Sequence, residues 1–192
     1  MSKLIVDSST KTLYIAFVDD KNNYDEKYIE GRNDHAKNIV SKIDEILKKH
    51  NTTINELDSI YCGVGPGSYT GVRMAVVVGK MVAVNTSVKL YSISSLYLMA
   101  SGYDGKVLPY IDARRGNSFN ALYNNDELAL AEALRPTEDI INSNKDYKPV
   151  SEDMIKVNPL KVIAKATIVN NPHGFVPNYL RETEAERNLA HD

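Results

Sequence analysis

Residues 61–84, YCGVGPGSYTGVRMAVVVGKMVAV, read as a strand end, a glycine-rich turn and a long apolar helix. The chain must therefore fold so that a helix apolar on nearly every side is covered. Gly63, Gly65 and Gly67 permit positive φ, and Pro66 fixes φ and lacks a donor, so the backbone turns sharply before anything helical begins. Ser68 or Thr70 then supplies an oxygen able to cap the first free N–H groups. A helix N-terminus behind a glycine turn suits an anion, yet neither GxGxxG nor GxxxxGK[ST] spacing is present. Two readings stay open: a structural turn packing helix on sheet, or a turn facing a phosphate or a partner.

The helix predicted over 70–84 carries Val72, Met74, Val76, Val77, Val78, Met81, Val82 and Val84 around its axis, with only Arg73 and Lys80 charged. Gly71, Ala75, Gly79 and Ala83 recur every fourth position and form one narrow ridge, open to close approach by another backbone. Mid-helix Gly79 costs about 1 kcal/mol against Ala. Burial of each Val or Met contributes roughly 1.5–3 kcal/mol. The helix is thus expected to be covered on both faces, one by its own sheet and the other by a second helix or another subunit.

Upstream, Lys3–Asp7, Thr12–Val18 and Tyr24–Ile29 read as an antiparallel meander, the first strand ending in an acid. Asn33 or Asp34 caps a helix with apolar positions Ala36, Ile39, Val40, Ile43, Ile46 and Leu47, closed by Lys48, Lys49 and His50. Thr53–Glu56 is a capping-box pattern ahead of a strand over 59–64. A strand at 89–91 and a helix at 94–100 follow the apolar helix, which makes an α/β layer closing near Gly102. Asp104–Gly105 marks a boundary, giving a first lobe over 1–102 and a shortened second lobe with its tail over 103–192. In the second lobe, 106–111, 118–123 and 127–133 form another meander, with Asp112 ending its first strand as Asp7 does in the first lobe. A helical turn at 137–141, a polar loop over 142–149 and a helix over 159–169 complete the reading.

At 192 residues the chain can bury a sizeable core. Its net charge of −2 and the lack of a basic block predict no autonomous nucleic-acid binding, so any RNA role needs a partner to supply cations. The single Cys62 excludes an intrachain disulfide and suits a reducing compartment. The apolar run before Asp7 is too short for a signal peptide and no stretch is long enough to span a membrane, so the expectation is a cytoplasmic protein. No histidine pair has i, i+4 spacing and HExxH is missing, so no metal site is expected. In GPGSYTG, Pro66 and Thr70 stand where a GxSxG elbow needs glycine, so Ser68 reads as a cap rather than a nucleophile.

The acid-ended first strand repeated in two lobes resembles the actin, hexokinase and Hsp70-like ATPase superfamily. DSSTKTLYIAF, RNDHAKNIVSKIDEIL, GVGPGSYTGVR, SISSL, IDARRGNSFNALY and PNYLR, in that order, resemble the bacterial TsaB (YeaZ) family over most of the chain. The resemblance implies an actin-like, ribonuclease H-like architecture with a reduced second lobe. It also implies a non-catalytic role in forming threonylcarbamoyladenosine in tRNA, by binding and activating TsaD together with the ATPase TsaE. No cofactor is then held tightly by this chain; ATP and Mg enter through TsaD and TsaE, and tRNA only through the complex. The family's contact uses the first two helices, which here places a homodimer or partner interface at His35, Ile39, Ile43, Gly71, Ala75, Val78, Gly79, Val82 and Ala83.

The superfamily's ATPases also direct attention to a nucleotide- or partner-facing turn at Asp7, Asp112 and Arg114. Here Ser8, Ser9, Ala113, Arg114 and Arg115 stand where a phosphate cradle needs glycine, and Asp112 with Arg114 makes a candidate turn salt bridge. Tyr69 stands where the motif usually has Phe. The alternative function is a small actin-fold ATP-dependent enzyme, or a peptidase-like protein, acting alone.

Overall fold

The strands of the first half are apolar without strict alternation, which requires a sheet covered on both faces. In the computed structural model, which describes residues 1–31 and 35–180 and leaves the side chains of 35–37 undescribed, β1 (Lys3–Asp7), β2 (Thr12–Val18), β3 (Tyr24–Glu30), β4 (Ser59–Gly63) and β5 (Lys89–Ile93) form that sheet. β2 lies antiparallel between β1 and β3, while β4 runs parallel to both β1 and β5. Period-two alternation sorts the side chains between two cores. Leu4, Val6, Leu13, Ile15, Ile60, Cys62 and Leu90 meet the helices on one face. Ile5, Tyr14, Ala16, Tyr61 and Ile93 point to the other.

The first face is covered by α1 (His35–Lys49) and α2 (Tyr69–Asn85). Ile39, Ile43, Ile46 and Leu47 of α1, at three-four spacing, enter the core, and the opposite face carries its charges. The expected cap at Asn33 or Asp34 lies outside the described residues. Ser68 is the α2 cap, its Oγ accepting from Gly71 N–H at 3.4 Å. A 310 turn, Ile54–Glu56, carries the foreseen capping box, with Glu56 accepting from Thr53 N–H at 2.8 Å.

The other face is covered by α3 (Ser95–Ala100) and by a second sheet of β6 (Lys106–Asp112), β7 (Asn117–Asn124), β8 (Glu127–Pro136) and β9 (Lys148–Val150). Its strand order is β8-β7-β6-β9. α4 (Thr137–Ser143) packs Ile140 with Leu108 and Leu122. β9 falls where a polar loop was expected: Val150 is fully buried against β6, and Pro149 is tolerated because β9 is an edge strand.

The helix expected over 159–169 is also shorter than anticipated. α5 (Pro159–Lys165) stops at Lys165, because Ala166 turns extended and β10 (Thr167–Ile168) pairs with β5, Thr167 opposite Ser92 and Ile168 opposite Tyr91. Two β-branched residues favour that edge over a further helical turn. The late chain thereby completes the first sheet, whose order is β10-β5-β4-β1-β2-β3.

Candidate functional site

Three of the sequence motifs converge at the carboxyl ends of β1 and β4. The Asp7 carboxylate, only 4% exposed, accepts from Ser9 N–H at 3.0 Å, from Ser9 Oγ at 2.7 Å and from Ser95 Oγ. Ser95 Oγ in turn accepts from Gly65 N–H at 2.9 Å, and Ser68 N–H donates to the Ser9 carbonyl at 2.7 Å. A Cβ on Gly63 would fall 1.6 Å from Asp7 Oδ2, one on Gly67 2.4 Å from Ser9 O, and one on Gly71 2.0 Å from Ser8 O. The glycines are needed because the turn closes directly on residues 7–9. Of the two readings left open by the sequence, this geometry serves the structural one: the Asp7 carboxylate ties β1 to the glycine turn and to α3 through Ser9 and Ser95.

The C-terminal motif packs onto the same turn. Asn178 N–H donates to the Val64 carbonyl at 2.7 Å and Asn178 Nδ2 to Glu132 Oε2 at 3.2 Å. The Glu132 carboxyl also takes the hydroxyl of Ser94, the α3 cap. Burial pushes the Glu132 carboxyl above the usual carboxylate range, while the Ser94 and Tyr123 hydroxyls pull it back.

The second acid-ended strand leads to a different arrangement. Asp112 is exposed and its Oδ1 accepts from Arg114 N–H at 2.8 Å, a backbone link where a salt bridge was expected. Arg114, Arg115 and Gly116 all take positive φ. Glu152 closes this turn onto the β1–β2 turn: its carboxylate accepts from Asp112 N–H at 3.0 Å and from the Lys11 backbone. Asp153 pairs with the Lys11 ammonium beside it. A phosphate placed against these two turns would meet a carboxylate already holding the donors, so the residues present do not fit that group.

The expected interface needs correction residue by residue. Ile39 and Ile43 are core residues, and Gly71, Ala75, Val78 and Gly79 are buried as well. A Cβ on Gly79 would lie 2.4 Å from Cys62 Sγ and 2.9 Å from Leu90 Cδ1, so the small-residue ridge admits the chain's own sheet and not a partner's backbone. Val82 and Ala83 are half-buried against the same core, and the side chain of His35 lies outside the described residues. What α2 leaves in the open is the opposite stripe. Val77 is 46% exposed, Met81 61% and Val84 41%, in line with Arg73 and Tyr69 one and two turns earlier. Val40 of α1 is 66% exposed.

At the head of that stripe Arg73 Nε donates to Tyr179 OH at 2.7 Å, and its guanidinium also bonds Tyr69 OH. The guanidinium carbon lies 3.8 Å from the Tyr69 ring centroid, and the two tyrosine rings are 5.6 Å apart. The stripe 73, 77, 81, 84 was readable as a helical face, and the charge on Arg73 was the one signal that it is the outer one.

Groups for chemistry are sparse. Among the described residues no three His, Cys, Asp or Glu side chains gather as metal ligands. Burial pushes the Cys62 thiol far above its usual range. His50 stacks on Phe17 and bonds Asp25 at 3.1 Å. No helix among the described residues is long and apolar enough to cross a membrane.

Residues 30–179 match the family model described as TsaD, tRNA N6-adenosine threonylcarbamoyltransferase. YeaZ from Pseudomonas aeruginosa superposes with a TM-score of 0.76 at 21% identity, covering 93% of this chain and 99% of that one, which shows a shared fold. The protein called tRNA threonylcarbamoyladenosine biosynthesis protein TsaB in Bacillus subtilis (strain 168) is 28% identical over 97% of this chain and 96% of its own length. Its namesake in Escherichia coli (strain K12) is 32% identical over 49% of this chain and 43% of its own length. Two α/β sheets, acid-ended first strands and the family match define a protein of the actin-like ATPase fold. Within that class, the chain belongs to the TsaB (YeaZ) family.

Proposed function

We propose that this chain is a non-catalytic partner subunit in the formation of N6-threonylcarbamoyladenosine in tRNA. It binds and activates a TsaD-like threonylcarbamoyltransferase, works alongside a TsaE-like ATPase, and pairs with a second copy of itself when the partner is missing. The observation that carries this reading is the outward face of α2, where Val77, Met81 and Val84 stand exposed on a rigid helix whose inner face is fully used. A contiguous apolar patch of this kind marks a contact surface. Tyr69, Arg73 and Tyr179 at one end supply the residue types enriched where binding energy concentrates. ATP and Mg enter through the partners, which fits a chain whose two acid-ended turns are tied to Ser95 and to Glu152.

The test is Val77→Glu with Met81→Glu, read by oligomeric state in solution and by stimulation of modified-nucleoside formation when the chain is mixed with a TsaD-like and a TsaE-like protein. The expected result is a folded monomer that no longer stimulates. Wild-type pairing and stimulation by the doubly charged variant would overturn the assignment.

A further inference from the structure

We propose that the β9 edge of the second sheet is a phosphate-binding surface for RNA, built on Tyr103 with Lys148 and Lys156. Lys148 Nζ lies 4.2 Å and Lys156 Nζ 5.7 Å from the centroid of the same Tyr103 ring. The ring is fixed, since Tyr103 OH donates to the Met154 carbonyl at 2.8 Å. Lys156 is fixed at its root: its N–H donates to the Met99 carbonyl at 2.9 Å and its carbonyl accepts from Gly102 N–H at 2.8 Å. Its stem runs so close over Gly102 that a Cβ there would lie 2.5 Å from Lys156 Cγ. Two ammonium groups are thus held over one half-buried ring, and both lysines are exposed.

The nearby acids have ion pairs elsewhere, although Asp104 also feels the Lys156 charge. Lys161 pairs with Asp104 at 2.9 Å and Lys106 with Asp146 at 2.6 Å. Among the described residues Lys148 and Lys156 have no ion-pair partner. Lysines on an edge strand also discourage strand pairing, but that needs only charges pointing outward, not two gathered on one anchored ring. Two exposed ammonium groups near one anchored ring offer a polyanion two point charges, each with three donors. The choice of RNA as the polyanion rests on the tRNA reading above. It gives this chain part of the cationic surface that its net charge of −2 would leave to a partner.

The test uses the full chain alone, titrated into labelled bulk tRNA at about 50 mM salt and upward, where contacts of this kind are strongest. Weak binding is expected, and Lys148→Ala with Lys156→Ala should weaken it several-fold. The same pair should make the slope of log affinity against log salt shallower by roughly 1.5, two contacts at about 0.7–0.9 each. Lys48→Ala with Lys49→Ala, an equal charge change on α1, should leave binding unchanged. Three results would overturn the proposal: no tRNA binding by the wild type, an equal loss in the α1 control, or displacement of the tRNA by poly-glutamate as readily as by poly-uridylate. The Val77/Met81 variant must bind tRNA as the wild type does, so a failure of the docking face and a failure of this surface are read separately.

Discussion

A methyl group added at Gly63 would lie 1.6 Å from Asp7 Oδ2, inside the hydrogen-bonded cluster that joins β1, α3 and the glycine turn. Gly63→Ala should therefore destabilise by at least about 2 kcal/mol, through displacing a buried carboxylate from its donors; urea unfolding measures it. Gly79→Ala is a subtler case. The helix gains about 1 kcal/mol in propensity, but the new methyl meets Cys62 Sγ at 2.4 Å. Overpacking of this kind costs typically 1–3 kcal/mol, so the net effect should be a loss that shrinks in a Cys62→Ala background. Glu132 supplies a pH signature. Burial raises its carboxyl above the ordinary 4.5, so the folded state holds its proton to higher pH than the unfolded chain does. The corresponding stability is fully present below about pH 4.5 and is lost as pH rises through the folded value. Denaturant titrations across that window should show a smaller slope for Glu132→Gln than for the wild type.

Among the elements, α2 decides whether the proposed role survives. Its inner face is complementary to β1, β4 and β5 down to single missing methyls, whereas its outer face presents three large apolar side chains to water. Val77→Glu with Met81→Glu should accordingly leave the melting temperature within a few degrees of the wild type while abolishing pairing. Gly79→Leu, by contrast, should unfold the domain rather than probe a contact. The existence, length and cap of α2 were legible from Gly65-Pro66-Gly67, Ser68 and the valine run. Its orientation was not. With Arg73 as the main polar marker on its outer stripe, a helix otherwise apolar gives periodicity little to choose between, and small residues at every fourth position serve a sheet as well as a second helix. α1 was legible for the opposite reason, since its charged face names the side that water sees. The acid-ended strands were recognisable too, yet only the fold shows Ser95 and Glu152 arriving from 88 and 40 residues away to engage Asp7 and the Asp112 amide.

At the scale of the whole molecule, Glu152 fastens a turn of one sheet to a turn of the other, and Lys11 with Asp153 reinforces the junction. Glu152→Ala should speed hydrogen exchange at the Lys11 and Asp112 amides together, while amides of the central strand β1 stay protected. Independent behaviour of the two amides would show that no shared latch exists. β10 makes a second connection, and it has a bearing on synthesis. While the ribosome is still decoding the middle of the message, the nascent front sheet has an open flank at β5, and the strand that seals it is not translated until residue 168. A polypeptide ending at residue 165 keeps both sheets but leaves β5 unsealed. It should therefore aggregate more readily than the full chain, and a peptide covering residues 166–180 should restore its solubility.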